Sequence, residues 1–143
     1  MSKEEVERLD DAGMAAWANH DADAWAAVFA DEFVLTDWSM PEVVRDLDGA
    51  RAVLKTWTTA FPDMKVTQLK RVVGDDSVAG EVAFDAVNSG PMMMAGKEIP
   101  PTGKSVHGRG AYIARIRNGK VVEFNSFPDI AGMMMQLGFM PAM

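Results

Sequence analysis

The dipeptide Asn118-Gly119 lies between two runs that both read as strands, Lys104–Arg117 and Lys120–Phe127. A tight hairpin turn needs two left-handed residues in succession, and Asn-Gly supplies them at little cost. The last third of the chain is therefore expected to be an antiparallel hairpin. Upstream, Met64–Val73 reads as a strand, followed by a turn at Gly74-Asp75-Asp76. Ser77–Asn88 follows as another strand, with Val78, Val82, Phe84 and Ala86 on one face. Ser89–Gly103, with three prolines and the run Met92-Met93-Met94, reads as a long loop.

The opening has a different period. Val6, Leu9, Gly13, Met14 and Trp17 recur at steps of three and four, which is one stripe of a helix. His20-Asp21 interrupts it, and Asp21 or Asp23 caps a second short helix carrying Trp25, Val28 and Phe29. Phe33–Asp37 reads as a strand and Met40-Pro41-Glu42 as the start of a loop. Asp48 is the expected N-cap of a third helix that Pro62 stops, and Ile130–Leu137 forms a last short helix ended by Gly138. Helices with one early strand, then successive antiparallel strands, make an α+β fold, and 143 residues fit one domain spanning 1–143.

Composition removes several chemistries. There is no cysteine, so no disulfide, thiolate metal site or cysteine nucleophile exists. The net charge of −7 argues against a general nucleic-acid binder, which needs basic surface. Residues 1–48 hold 13 acids and 3 bases while the remainder is mildly basic, which reads as acidic solvated helix faces at the start. No apolar run suits a membrane span, and Met1–Glu5 does not resemble a signal peptide, so a soluble cytoplasmic protein is expected. Two distant histidines give no zinc-binding spacing, and there is no phosphate loop and no GxSxG motif. No metal and no cofactor is expected.

Taken as a two-residue turn, Asn118-Gly119 sets Tyr112 opposite Asn125, Gly110 opposite Phe127 and Gly108 opposite Asp129. His107 then lies one step from Asp129, and a break at Pro128 would let the two meet. A carboxylate beside an imidazole is a common acid–base pair. Asp129 also reads as the N-cap of the helix it precedes, and His107 as an ordinary strand residue. Asp37 is the other candidate base: it ends an apolar strand beside Trp38, though aspartate also ends strands for local reasons. Asp129, Arg109 and Asp85 together would suit a hydrolase. The methionines Met40, Met92–Met94 and Met133–Met135 either wall a soft apolar pocket or fill core space. Trp38, Met40, Tyr112, Asn125 and Met133 are the candidate substrate-binding residues.

Several segments in order look familiar. They are Trp17-x-x-His20-Asp21-x-Asp23, Phe29–Val34, Phe61-Pro62-Asp63, Ile99–Lys104, Asn118–Glu123, and Asp129 with Met135–Pro141. Together they resemble SnoaL-like proteins of the NTF2-like superfamily. That resemblance implies a cone-shaped fold, a curved antiparallel sheet around helices enclosing an apolar pocket, and a homodimer. It implies a cofactor-independent aldol ring closure on a small apolar polyketide, with Asp129 matching the family's base and His107 its assisting histidine. Family members often carry an acid and aromatics where this chain has Asn125, Ser126 and Pro128. Ketosteroid isomerases share the fold, and their base closes the first strand as Asp37 does here. A third reading is a non-catalytic binder of hydrophobic ligands.

Overall fold

The computed structural model describes residues 2–40, 42–94 and 96–141. Its helices are α1 (Lys3–Ala18), α2 (Ala22–Ala27), α3 (Leu47–Ala60) and α4 (Ile130–Leu137). Its strands are β1 (Phe29–Asp37), β2 (Val43–Val44), β3 (Lys65–Val73), β4 (Ser77–Val87), β5 (Met92–Met94), β6 (Lys97–Ile99), β7 (Ser105–Arg117) and β8 (Lys120–Pro128). Six strands form one curved sheet in the order β2-β1-β8-β7-β4-β3. The α+β architecture is as the sequence implies. The middle of the supposed Ser89–Gly103 loop instead contains the small hairpin β5–β6, and Pro41 lies outside the described residues.

Local chemistry accounts for the element ends. Asn118 and Gly119 both sit at positive φ, 51° and 76°, so the expected tight turn joins β7 to β8. Each helix begins at an oxygen-bearing cap: Ser2 accepts from the Glu5 amide, Asp21 from Ala24, Asp46 from Gly49 and Asp129 from Gly132. The third cap is Asp46 rather than Asp48, which lies in the first turn and pairs with Arg51. α2 stops at Ala27, so Val28 and Phe29 leave the helix and β1 starts at Phe29, earlier than its apolar run suggests.

The hairpin register departs from the simple expectation. Arg117 pairs with Lys120 and Ile116 with Val121, but Arg115 then pairs with Glu123, leaving Val122 as a bulge. Every later pair moves by one residue: Tyr112 faces Ser126 rather than Asn125, and Gly110 faces Pro128 rather than Phe127. A one-residue slip turns a strand over. Phe124, Ser126 and Pro128 therefore point inward, while Phe127 is 45% exposed on the outer face. β1 closes the sheet by pairing parallel to β8, an exception to the expected antiparallel run.

Two apolar clusters fill the interior. The larger lies between α1, α2, α3 and the sheet, around Trp25, Phe29, Leu54 and Tyr112. The smaller joins Phe61, Met92, Val106, Met133, Met134 and Leu137 beneath α4. Asn88, fully buried, ties this second region together. Its amide nitrogen donates to the carbonyls of Ala60 and Gly90, each at 3.0 Å, and its oxygen accepts from the Thr102 amide and hydroxyl, each at 2.9 Å. Asn88→Ala removes all four of these hydrogen bonds from a largely buried site. We expect it to cost about 3 kcal/mol, read as a lower urea midpoint at unchanged slope.

Candidate active site

One transverse row of the sheet carries most of the interior polar chemistry. Asp37 on β1 pairs with Ser126 on β8, Ser126 with Tyr112 on β7, Tyr112 with Gly80 on β4, and Gly80 with Arg71 on β3. Between this sheet face and the helices lies a cavity of about 150 Å³. Its wall is largely apolar, with Trp17, Trp25, Trp57, Phe84 and Phe124 prominent, and it includes Asp10, Asp37, Tyr112 and Ser126.

At one end the polar groups satisfy one another. The Tyr112 hydroxyl donates to Asp10 Oδ1 at 2.6 Å and accepts from Gln68 Nε2 at 2.7 Å. Gln68 also donates to Asp10 Oδ2 at 2.9 Å, and Arg71 Nη1 donates to Asp10 Oδ2 at 3.2 Å and to Asp11 Oδ1 at 2.7 Å. Gly80 makes this reach possible: a Cβ there would lie 2.5 Å from the Tyr112 ring, so the phenol crosses β4 only because that position is bare. Phe124 stacks on the other side of the ring at 5.4 Å and 11°. Burial drives the Tyr112 pKa well above the ordinary phenol value. Its hydrogen bond to Asp10 and the Asp10 charge add to the rise, while Gln68 and Arg71 oppose it.

At the other end stands Asp37, 4% exposed. β1 ends there in a turn closed by the Met40 amide donating to the Asp37 carbonyl. The Ser39 amide and hydroxyl donate to Asp37 Oδ1 at 2.9 and 2.5 Å, an Asx-type arrangement that pins the carboxylate. Among the described residues Oδ2 has no hydrogen-bond partner and the carboxylate forms no salt bridge. Trp25 lines the same cavity, and its buried indole N–H has no partner among the described residues.

The structure separates the two residues that the simple register brought close. Asp129 is exposed and its Oδ1 accepts from the Gly132 amide, while its own amide donates to the Arg109 carbonyl. His107 points to the outer face, its side chain 78% exposed, with Nδ1 at 2.5 Å from Asp85 Oδ1. Gln136 grips the His107 backbone on the edge that β8 does not reach, accepting at 2.6 Å and donating at 3.0 Å. The suggested grouping of Asp129, Arg109 and Asp85 does not form either, because Arg109 borders the cavity but sends its guanidinium to Glu81.

Of the candidate substrate-binding residues, only Tyr112 lines the cavity. Trp38 is 63% exposed, stacks on Phe127 at 6.2 Å, and donates from Nε1 to Asn125 Oδ1 at 3.0 Å. The bulge at Val122 put Asn125 on that outer side. Met133 fills the second core and Met40 is half-buried outside the cavity wall, so neither methionine lines the cavity. Asp10 and Ser126 also line the cavity, beyond the residues expected from the sequence. Asp10 had a signal: Val6, Asp10, Gly13 and Trp17 fall on one helical stripe, and an acid on an apolar stripe requires partners.

The family model for SnoaL-like polyketide cyclases matches residues 7–137. No curated protein matches the sequence. AclR of Streptomyces galilaeus, described as a candidate hydroxylase, is 23% identical with a TM-score of 0.83, covering 99% of this chain and 86% of that one. IdmH of Streptomyces antibioticus, described as a candidate polyketide cyclase, is 24% identical with a TM-score of 0.74, covering 92% and 97%. A protein of ketosteroid isomerase-like fold from Catenulispora acidiphila, bound to trimethylamine, is 15% identical with a TM-score of 0.75, covering 92% and 93%. At these identities the structures support the fold and not a shared reaction. Among the described residues no helix is long and apolar enough to cross a membrane.

Tyr112 is the single tyrosine, so alkaline absorbance titration reads one group. The folded chain keeps a proton that the unfolded chain releases near pH 10; stability is therefore full below about pH 10 and lost as pH rises beyond it. We expect no tyrosinate absorbance until the fold is lost, and Asp10→Asn to bring the ionisation down toward the ordinary range. Ionisation near the ordinary value with circular dichroism still native would contradict the buried pairing.

Proposed function

The chain belongs to the SnoaL-like polyketide cyclase family, and from that premise we propose a cofactor-independent acid–base enzyme acting on a small, largely apolar carbonyl compound of polyketide type, with Asp37 as the base. The observation that carries this reading is the burial of Asp37 in the cavity wall, with one oxygen pinned and no salt bridge among the described residues. A carboxylate so placed is oriented in advance and poorly hydrated, which suits it to take a proton. Asp129 is a weaker candidate because it is exposed and already employed as a cap.

In the proposed reaction Asp37 removes a proton from the carbon beside a substrate carbonyl. The C–H electron pair becomes the enolate double bond, and the carbonyl π pair moves onto oxygen. The enolate carbon then attacks a second carbonyl of the same molecule, and the new alkoxide recovers the proton from Asp37. No net oxidation or reduction occurs, so the chemistry calls for no redox cofactor. Trp17, Trp57 and Phe84 offer flat apolar surface to a folded chain of rings, and an apolar wall strengthens each electrostatic contact made inside it.

Exchange of the acidic C–H of 2-tetralone with solvent deuterium, followed by NMR, isolates the proton-transfer half of this reaction. Asp37→Asn is expected to slow exchange by about 10²- to 10⁴-fold with the fold intact. Asp129→Asn should leave rate and fold in place, since asparagine caps a helix as well as aspartate. The reverse pattern would return the base to the tail of the chain. Tight ketone binding with no exchange by the wild type would instead identify a hydrophobic-ligand binder.

A further inference from the structure

Ser126 is a polar cavity residue that the reaction above leaves unused. It pairs directly with Asp37 across the parallel β1–β8 ladder, and the Trp38 amide donating to the Ser126 carbonyl at 3.0 Å continues that ladder past Asp37. Paired residues on adjacent strands face the same way and lie about 4.8 Å apart in the hydrogen-bonding direction. Ser126 is half-buried, lines the same cavity as Asp37, and its hydroxyl has no hydrogen-bond partner among the described residues. The other hydroxyls near the site are engaged: Ser39 donates to Asp37 and Tyr112 to Asp10.

We propose that Ser126 is a catalytic residue: its hydroxyl donates the hydrogen bond that holds the substrate carbonyl oxygen while Asp37 takes the neighbouring proton. The inference rests on the proposed acid–base reading and extends it to the oxyanion partner. The geometry matches the demand. A carbonyl oxygen and a proton on the adjacent carbon lie on neighbouring atoms of the substrate, and two side chains one strand apart can reach both at once. As the C–H bond breaks, the carbonyl π pair moves onto oxygen and the hydrogen bond from Ser126 strengthens; Ser126 keeps its own proton throughout. Tyr112 is not the donor in this arrangement, because its proton is committed to Asp10 and its ring leans across Gly80 toward β3. Substrates are accordingly those with a carbonyl set beside an acidic C–H, small enough for both atoms to reach the Asp37 end together.

Two measurements test this. In 2-tetralone exchange, Ser126→Ala should slow the wild-type rate by about a hundredfold, the usual loss of one oxyanion donor. Ser126→Thr, which keeps the hydroxyl, should retain most of the rate, and Ser126→Ala should weaken binding of neutral 2-tetralone far less than it slows exchange. Normal exchange in Ser126→Ala beside a dead Asp37→Asn would overturn the role of Ser126 and leave the base assignment standing. Full exchange in Asp37→Asn would overturn the base assignment instead. The second measurement needs no turnover. Fluorescence titration with 2-naphthol, an enolate mimic, is made in an Asp37→Asn background, where the amide stands for the protonated base. Adding Ser126→Ala there should weaken binding at least tenfold, and unchanged affinity or no binding before the second substitution would sink the proposal whatever the exchange data show.

Discussion

The extra residue at Val122 decides which side of β8 meets the interior. In an unbroken strand Val121 and Phe124 would point to opposite faces, because they are three apart. With Val122 set aside as a bulge, both turn inward and Glu123 turns outward. The alternative is costly on two counts. It would push a carboxylate into an apolar wall, and it would put into water a phenylalanine whose burial is worth about 2 kcal/mol. The bulge then propagates for the rest of the strand. Ser126 and Pro128 join the cavity wall, while Asn125 and Phe127 pass to the outer face with Trp38.

Much of the framework was legible because it depends on neighbours in sequence. The Asn118-Gly119 turn, the caps at Asp21 and Asp129 and the helical stripe of α1 are local choices, and the chain makes them as its residues favour. The pairing of β1 with β8 was not legible in this way. It joins segments far apart in sequence and runs parallel, so no turn chemistry announces it. The hairpin register lay between these cases. The Asn-Gly turn set its first two pairs correctly, and the two inward apolar residues at 121 and 124, flanking Glu123, carried the sign of a change of phase. Asp129 misled for a physical reason, since an aspartate before a helix satisfies a cap and resembles a site residue at the same time.

Asp10 and Asp37 are both buried acids in one cavity wall, and their surroundings give them different capacities. Asp10 accepts from Tyr112, Gln68 and Arg71, so its charge is compensated and its oxygens are occupied. Removing any one partner leaves the others poorly satisfied, which makes that end rigid. Asp37 is held by its near neighbour Ser39 at a single oxygen. A carboxylate held at one oxygen keeps its orientation and leaves the other oxygen open to a ligand. The same residue type thus serves structure at one end of the row and stands ready for chemistry at the other.

Gly80 links these two ends. Tyr112 pairs with Ser126, and a phenol standing upright on β7 would occupy the space above that serine. The bare backbone at Gly80 lets the ring lie down across β4, where Asp10 and Gln68 receive its hydroxyl and Phe124 covers its other side. A side chain at position 80 would meet the ring and drive it back. The glycine therefore does two things through one close contact: it lets the buried hydroxyl reach its partners, and it draws the largest residue of the row away from Ser126 and Asp37. The room beside the base is a consequence of where the tyrosine is allowed to lie.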